Sequence, residues 1–218
     1  MTNASDAPRL YLLTPPLADA AAFAPALESA LASADVACVL VRLASTDEGA
    51  AKKILKALAP VVQKRDAALL VEQAPGLAAR AGADGAHLRA SGEKLVPQLE
   101  DAIDSLKPER IVGVGGLKSR HDAMSAGELD IDYVMFGDPA PDGYTPPAEQ
   151  TLERVAWWAD IFNVPCVGYA ARLDDIAPLV GAGADFVALG TALWDDPRGT
   201  TAAAADAARI LTTTPRPA

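Results

Sequence analysis

Six residues carry the chemistry this chain can offer. Arg42, Glu72 and His87 are the candidate catalytic groups, and Gly168, Gly190 and Thr191 are the candidate phosphate ligands. A glycine lets backbone N–H groups close on an anion, and Gly190-Thr191 adds a hydroxyl donor beside it; a plain tight turn is the equal alternative. Val167-Gly168-Tyr169-Ala170 offers a second such place. The Arg42 guanidinium matches the fork geometry of a phosphate, and a rim salt bridge explains it as well. His87 is either a general base or a satisfied structural histidine. Glu72 and Asp138 are the carboxylates best suited to acid–base work. A metal site needs hard oxygen ligands that converge, and nothing in the spacing brings two together, so no metal ligand is assigned. Gly113-Val114-Gly115-Gly116 reads first as a turn, Asp138 to Gly143 as a stiff proline-rich loop, and Arg89 and Lys118 as solvated rim charges.

Groups so far apart in the chain need a scaffold that gathers them. Eight apolar runs, at residues 9–13, 36–42, 67–71, 85–88, 110–114, 132–136, 165–168 and 186–189, lack polar alternation. Continuous apolar runs are expected of parallel strands buried on both faces. Helical patterns separate them, at 17–34, 49–64, 75–81, 93–106, 119–126, 147–162, 174–180 and 198–211. In the second, Ile54, Leu55, Leu58, Val61 and Val62 form a stripe with Lys52, Lys53 and Lys56 outside it. Ala81-Gly82-Ala83-Asp84 recurs in Ala182-Gly183-Ala184-Asp185, each a helix end, a glycine stop and the start of a strand. Strand then helix, eight times, predicts an α/β fold: a single (β/α)8 TIM barrel over residues 9–211, with flexible tails at 1–8 and 212–218. An open doubly wound sheet is the rival. Thr14-Pro15-Pro16, not a Gly-x-Gly-x-x-Gly turn, follows the first strand, which argues against a dinucleotide site. In such a barrel the candidate residues lie at the carboxyl ends of strands, where chemistry is found.

The chain has 218 residues and a net charge of −10. That balance opposes non-specific binding to nucleic acid or to an anionic membrane surface, but a local pocket can still bind an anion. Cys38 and Cys166 sit in apolar runs and read as buried thiols. No basic start with an apolar core marks a secretory signal, and no apolar stretch approaches the roughly 20 residues of a membrane span. The expected location is cytoplasmic, and the expected partner is a small phosphorylated molecule.

Leu10-Tyr11-Leu12-Leu13-Thr14-Pro15, Ala81 to Leu88, Ile131-Asp132-Tyr133-Val134-Met135-Phe136-Gly137 and the closing Gly183-Ala184-Asp185 strand together resemble the thiamine phosphate synthase family, which includes the TenI-type tautomerases. The resemblance runs from about Arg9 to Leu211. It implies a barrel that joins hydroxymethylpyrimidine diphosphate to thiazole phosphate with Mg²⁺ and releases pyrophosphate. Arg42 then matches the arginine of the family's diphosphate motif. The family's metal carboxylates fall on Glu72-Gln73 and on Arg89-Ala90-Ser91-Gly92, so the cofactor stays open, with Mg²⁺ the implied cation and Glu72 its implied replacement ligand. The phosphate glycines fall on Gly168-Tyr169 and on Gly190. Two other readings stay open: a paralogue that binds a ligand or partner without catalysis, and another phosphate-handling lyase or isomerase using Lys118 or His87. By analogy with barrels of this type, a homodimer is the expected assembly.

Overall fold

A computed structural model describes residues 7–217. Eight parallel strands close into one barrel in chain order, each hydrogen-bonded to the next and the last to the first. They are β1 (Arg9–Leu13), β2 (Val36–Val41), β3 (Ala68–Glu72), β4 (Gly85–Arg89), β5 (Ile111–Gly115), β6 (Tyr133–Phe136), β7 (Cys166–Ala170) and β8 (Phe186–Leu189). The helices outside are α1 (Ala20–Ser33), α2 (Glu48–Gln63), α3 (Pro75–Ala81), α4 (Leu95–Leu106), α5 (Arg120–Gly127), α6 (Ala148–Ile161), α7 (Ile176–Gly181), α8 (Thr191–Trp194) and α9 (Thr200–Thr213). The closed circuit removes the open-sheet alternative.

The runs lack polar alternation because both strand faces are buried. Residues facing outward, such as Leu10, Leu12, Val39, Val41, Leu69 and Val71, pack against the helices in the larger core. Their neighbours point into the barrel and form a second cluster containing Tyr11, Leu13, Cys38, Leu40, Leu70, Tyr133, Met135, Val167 and Tyr169. This period of two decides which side chains can reach the mouth.

Local chemistry sets the helix starts. The Asp47 carboxylate accepts the Ala50 N–H at 2.7 Å to cap α2, and Ser119 with Asp122 forms a reciprocal capping box on α5. The recurring Gly-Ala-Asp unit is also explained. Asp84, one residue before β4, accepts the Leu69 N–H of β3 at 2.7 Å, and Asp185, one residue before β8, accepts the Cys166 N–H of β7 at 2.9 Å. Asp132 does the same before β6, accepting the Val112 N–H of β5 at 2.7 Å. These carboxylates staple the amino end of the barrel, opposite the mouth.

Some boundaries differ from expectation. β3, β5 and β7 run on to Glu72, Gly115 and Ala170 because ladder pairing continues past the apolar residues. Residue 42 falls just outside β2. The stretch 198–211 is α9 alone, and the four-residue α8 precedes it, too short to show a period. α9 reaches Thr213, so residues 212 and 213 belong to a helix rather than to a tail, and Arg216 beyond it pairs with Asp185 at 2.9 Å. Residues 1–6 of the expected amino-terminal tail, and residue 218, lie outside the described residues. Among the described residues no helix is long and apolar enough to cross a membrane.

Candidate functional site

Inward alternation places the top layer of the barrel interior at Arg42, Glu72 and Arg89. Cys38 and Leu40 point inward, so Arg42, two residues on, continues that row at the mouth. Its backbone N–H donates to Thr14 Oγ1 at 3.0 Å and its Nε donates to the Thr14 carbonyl at 2.7 Å. One bond fixes the backbone and the other the guanidinium, whose terminal nitrogens make no protein hydrogen bond among the described residues. Glu72 ends β3 beside His87 in register. Burial pushes its carboxyl above the ordinary glutamate value, against the opposing charges of Arg89 and then Arg42. The three side chains therefore share one electrostatic environment.

Arg89 is not a solvated rim charge. Its side chain is 12 % exposed, and Nη1 donates to Oδ2 of Asp138, whose side chain is 4 % exposed. The second Asp138 oxygen accepts the Gly116 N–H at 3.1 Å. Gly116 has φ +69°, and an added Cβ would lie 3.5 Å from Arg89, so a glycine suits this turn for its conformation. Gln73 holds Arg89 from the other side, with Nε2 donating to the Arg89 carbonyl at 2.8 Å.

One layer down, His87 is wholly buried. Nδ1 is hydrogen-bonded to the Tyr133 hydroxyl at 2.9 Å, and that hydroxyl to Tyr11 at 2.7 Å. Burial first, and the Arg89 charge second, lower its pKa to about 3, so the ring is neutral near pH 7. Glycines make the space for this column. A Cβ at Gly113 would lie 2.0 Å from the Tyr133 ring, and one at Gly115 would lie 2.7 Å from His87 Nε2.

The phosphate candidates separate. Gly190 follows β8, and Thr191 opens α8 with an exposed side chain. A Cβ at Gly190 would meet the Tyr169 hydroxyl at 2.9 Å, so Tyr169, 5 % exposed inside the barrel, stands over this turn. Gly168 does not end its strand. It lies within β7, and its Cα faces outward, where a Cβ would meet Leu179 of α7 at 2.8 Å and Val155 of α6 at 3.3 Å. Its missing side chain lets two helices approach the sheet, a packing reason for the glycine at this position.

A groove of about 480 Å³ opens between the loops after β2 and β3, with Leu43, Thr46, Glu72, Gln73 and Arg80 on its walls. A larger hollow of about 1090 Å³ lies at the amino end, against Asp160, Asp185 and residues 212–217, and shares no residue with the mouth.

The cation that the resemblance implies does not fit this donor set. The stretch matched to the family's second carboxylate, Arg89-Ala90-Ser91-Gly92, holds no acid and begins with a positive charge, and Asp138 already accepts on both oxygens. Among the described residues no three His, Cys, Asp or Glu side chains are grouped to hold a metal.

Sequence reasoning missed Tyr11, Tyr133 and the burial of Arg89. Inward alternation, applied to all eight strands together, is the signal that finds them.

Comparison with known proteins agrees with this architecture. The family model described as thiamine monophosphate synthase matches residues 10–193. A thiamine-phosphate synthase of Rhodospirillum centenum is 43 % identical over 205 residues, which cover 93 % of this chain and 97 % of that protein. One from Hyphomonas neptunium is 38 % identical, covering 89 % and 90 %. Among solved structures, a thiamine phosphate pyrophosphorylase from Pyrococcus furiosus superposes with a TM-score of 0.77 at 20 % identity, over 97 % of this chain and 99 % of that one. A 3-hexulose-6-phosphate synthase from Salmonella typhimurium gives 0.71 at 13 %, over 94 % and 100 %, a likeness of fold alone. By the reach of the family match and the identity to these relatives, the chain belongs to the thiamine monophosphate synthase family.

Proposed function

We propose that the barrel mouth binds a small phosphorylated ligand and couples hydroxymethylpyrimidine diphosphate to thiazole phosphate, as in the synthases this chain resembles. The observation that carries the reading is the inward-facing layer of Arg42, Glu72 and Arg89 at the carboxyl ends of adjacent strands. Arg42, fixed through Thr14, offers its terminal N–H groups to the diphosphate. Arg89 keeps donors beyond the one given to Asp138 and takes up charge that develops on the departing pyrophosphate. Both guanidiniums are held before substrate arrives, which removes reorganisation from the reacting step. Glu72 sits between them and limits their mutual repulsion in the empty site. The turn at Gly190 and Thr191 binds the second phosphate through backbone N–H groups and the Thr191 hydroxyl.

Incubation of the protein with both precursors, with Mg²⁺ and separately with a chelator, tests this. The expected product is thiamine phosphate with stoichiometric pyrophosphate, and each precursor raises the melting temperature. Neither product nor a thermal shift from either precursor would refute the reading.

The position of Tyr169 favours a second reading. Its hydroxyl occupies the inner side of the Gly190 turn, which narrows a phosphate site there. A paralogue that binds one phosphorylated ligand without turnover would show the thermal shift and no product.

A further inference from the structure

One buried polar atom in the barrel has no partner: His87 Nε2 makes no hydrogen bond among the described residues. A buried polar group left unmatched is costly, so its direction is informative. It points upward, toward the mouth. The Cβ position of Gly115, at the mouth end of β5, lies 2.7 Å from Nε2 and 3.0 Å from Asp138 Oδ2, so the absence of a side chain there lets the ring and the carboxylate come close to the strand.

The other face of the ring is engaged. Nδ1 meets the Tyr133 hydroxyl, and Tyr133 meets the Tyr11 hydroxyl, with Cys38 packed in the same inner cluster. The three side chains form a column across the barrel interior, open at Nε2. Burial holds both phenols in the protonated form and the ring in the neutral form. A neutral imidazole carries one proton, on Nδ1 or on Nε2. A phenol, with an ordinary pKa near 10, is a stronger acid than a neutral imidazole N–H, and imidazole nitrogen is the stronger base. Tyr133 therefore donates to Nδ1, Tyr11 donates to Tyr133, and the proton of the ring is left on Nε2.

We propose that Tyr133 and Tyr11 are positioning residues that lock His87 in the tautomer with its proton on Nε2, presenting a fixed N–H donor to an acceptor atom of the bound ligand at the mouth. The carboxylate of Asp138 lies near that donor with both oxygens already engaged, so the ligand atom that fits is a hydrogen-bond acceptor. A hydroxyl, or a ring nitrogen beside an amino group, has this chemistry. The ligand half of the proposal rests on the function proposed above, and the tautomer half stands without it.

The chain has two histidines, so the test is direct. Long-range ¹H–¹⁵N spectra of histidine-labelled protein, with His121→Gln to assign signals, report which ring nitrogen of His87 carries the proton. The expected result is Nε2–H in the native protein. Tyr133→Phe, which keeps the ring and deletes the donor, should move His87 to a mixture or to Nδ1–H, and Tyr11→Phe should do so less. Hydroxymethylpyrimidine diphosphate should shift the Nε2 resonance, and inorganic pyrophosphate should not. An Nδ1–H tautomer in the native protein overturns the proposal, and so does a Tyr133→Phe spectrum unchanged at His87; if either variant fails to fold, the native spectrum decides alone. A precursor that binds and shifts the Thr191 amide but not His87 Nε2 overturns the ligand half and leaves the function standing. The expected tautomer with no precursor bound overturns the function instead.

Discussion

Arg89 at the end of β4 and Asp138 just after β6 form an ion pair across the intervening strand, directly over Gly115 and Gly116. The two glycines leave the space in which the pair forms, and the Gly116 N–H fixes the second carboxylate oxygen. The mouth is therefore braced from both sides before any ligand arrives.

Breaking this brace from one side should cost more than removing it whole. Asp138→Ala strands a buried guanidinium and should destabilise the fold by about 3 kcal/mol. Arg89→Leu with Asp138→Leu leaves no unpaired charge and should be milder than Asp138→Leu alone. Urea denaturation of the single and double variants checks this. A double variant as unstable as the sum of its singles would show that the two side chains do not interact.

His87 should make stability fall on acidification. Its pKa is lowered to about 3 in the folded protein, by burial and then by Arg89, against about 6.5 in an unfolded chain. Between those values the unfolded state binds the extra proton, so stability rises with pH over this window and is lost as pH drops below about 6.5. The slope approaches roughly 1.4 kcal/mol per pH unit. Carboxylates join below pH 5, so the clean comparison is pH 7.5 against pH 5.5. The unfolding free energy of wild type should decline more across that interval than that of His87→Leu, and His121, present in both proteins, cancels.

Gly113→Ala should damage the barrel interior far more than Gly82→Ala. Both positions are glycine for reasons, but different ones. A Cβ at Gly113 would overlap the Tyr133 ring at 2.0 Å, whereas at Gly82 it meets nothing within 4 Å and the strain is only that of φ +77°. Overpacking of that kind costs about 1–3 kcal/mol, and here it also displaces the hydroxyl that holds His87. Thermal melting should rank the two variants, and the His87 ring resonances should change in Gly113→Ala alone.

The barrel was readable because burial on both faces turns each strand into an unbroken apolar run, and eight such runs at even spacing suit closure. Ends were less readable, since Glu72 and Gly115 stay in the ladder although neither looks like a strand interior. Arg42, Glu72 and His87 were singled out from their places after or within strands, and the structure puts them toward one end of the barrel. Arg89 was misjudged because a charged residue after an apolar run resembles a rim residue until its partner, 49 positions later, is known. The packing of Gly168 was not legible, because a glycine near a strand end suits a ligand or a helix equally well, and only the facing side chains, Leu179 and Val155, show what its outer side meets. The aspartates of the repeated Gly-Ala-Asp unit marked strand starts, yet their use as staples between strands depends on three-dimensional pairing.

Arg42 should be replaceable by nothing shorter or less planar. Its Nε is committed to the Thr14 carbonyl, which aims the remaining N–H groups inward as a fork. Arg42→Lys loses both the bond to Thr14 and the fork, so it should weaken binding of hydroxymethylpyrimidine diphosphate nearly as much as Arg42→Ala, by about 10- to 100-fold, the worth of hydrogen bonds to a charged group. Stability should change by less than in Asp138→Ala, because Arg42 is half-exposed and leaves only a backbone carbonyl behind. Titration calorimetry with the diphosphate, alongside urea melts, separates the two effects. If Arg42→Lys binds like wild type, the guanidinium is a rim group and the diphosphate lies elsewhere in the mouth, with Arg89 the remaining cation to hold it.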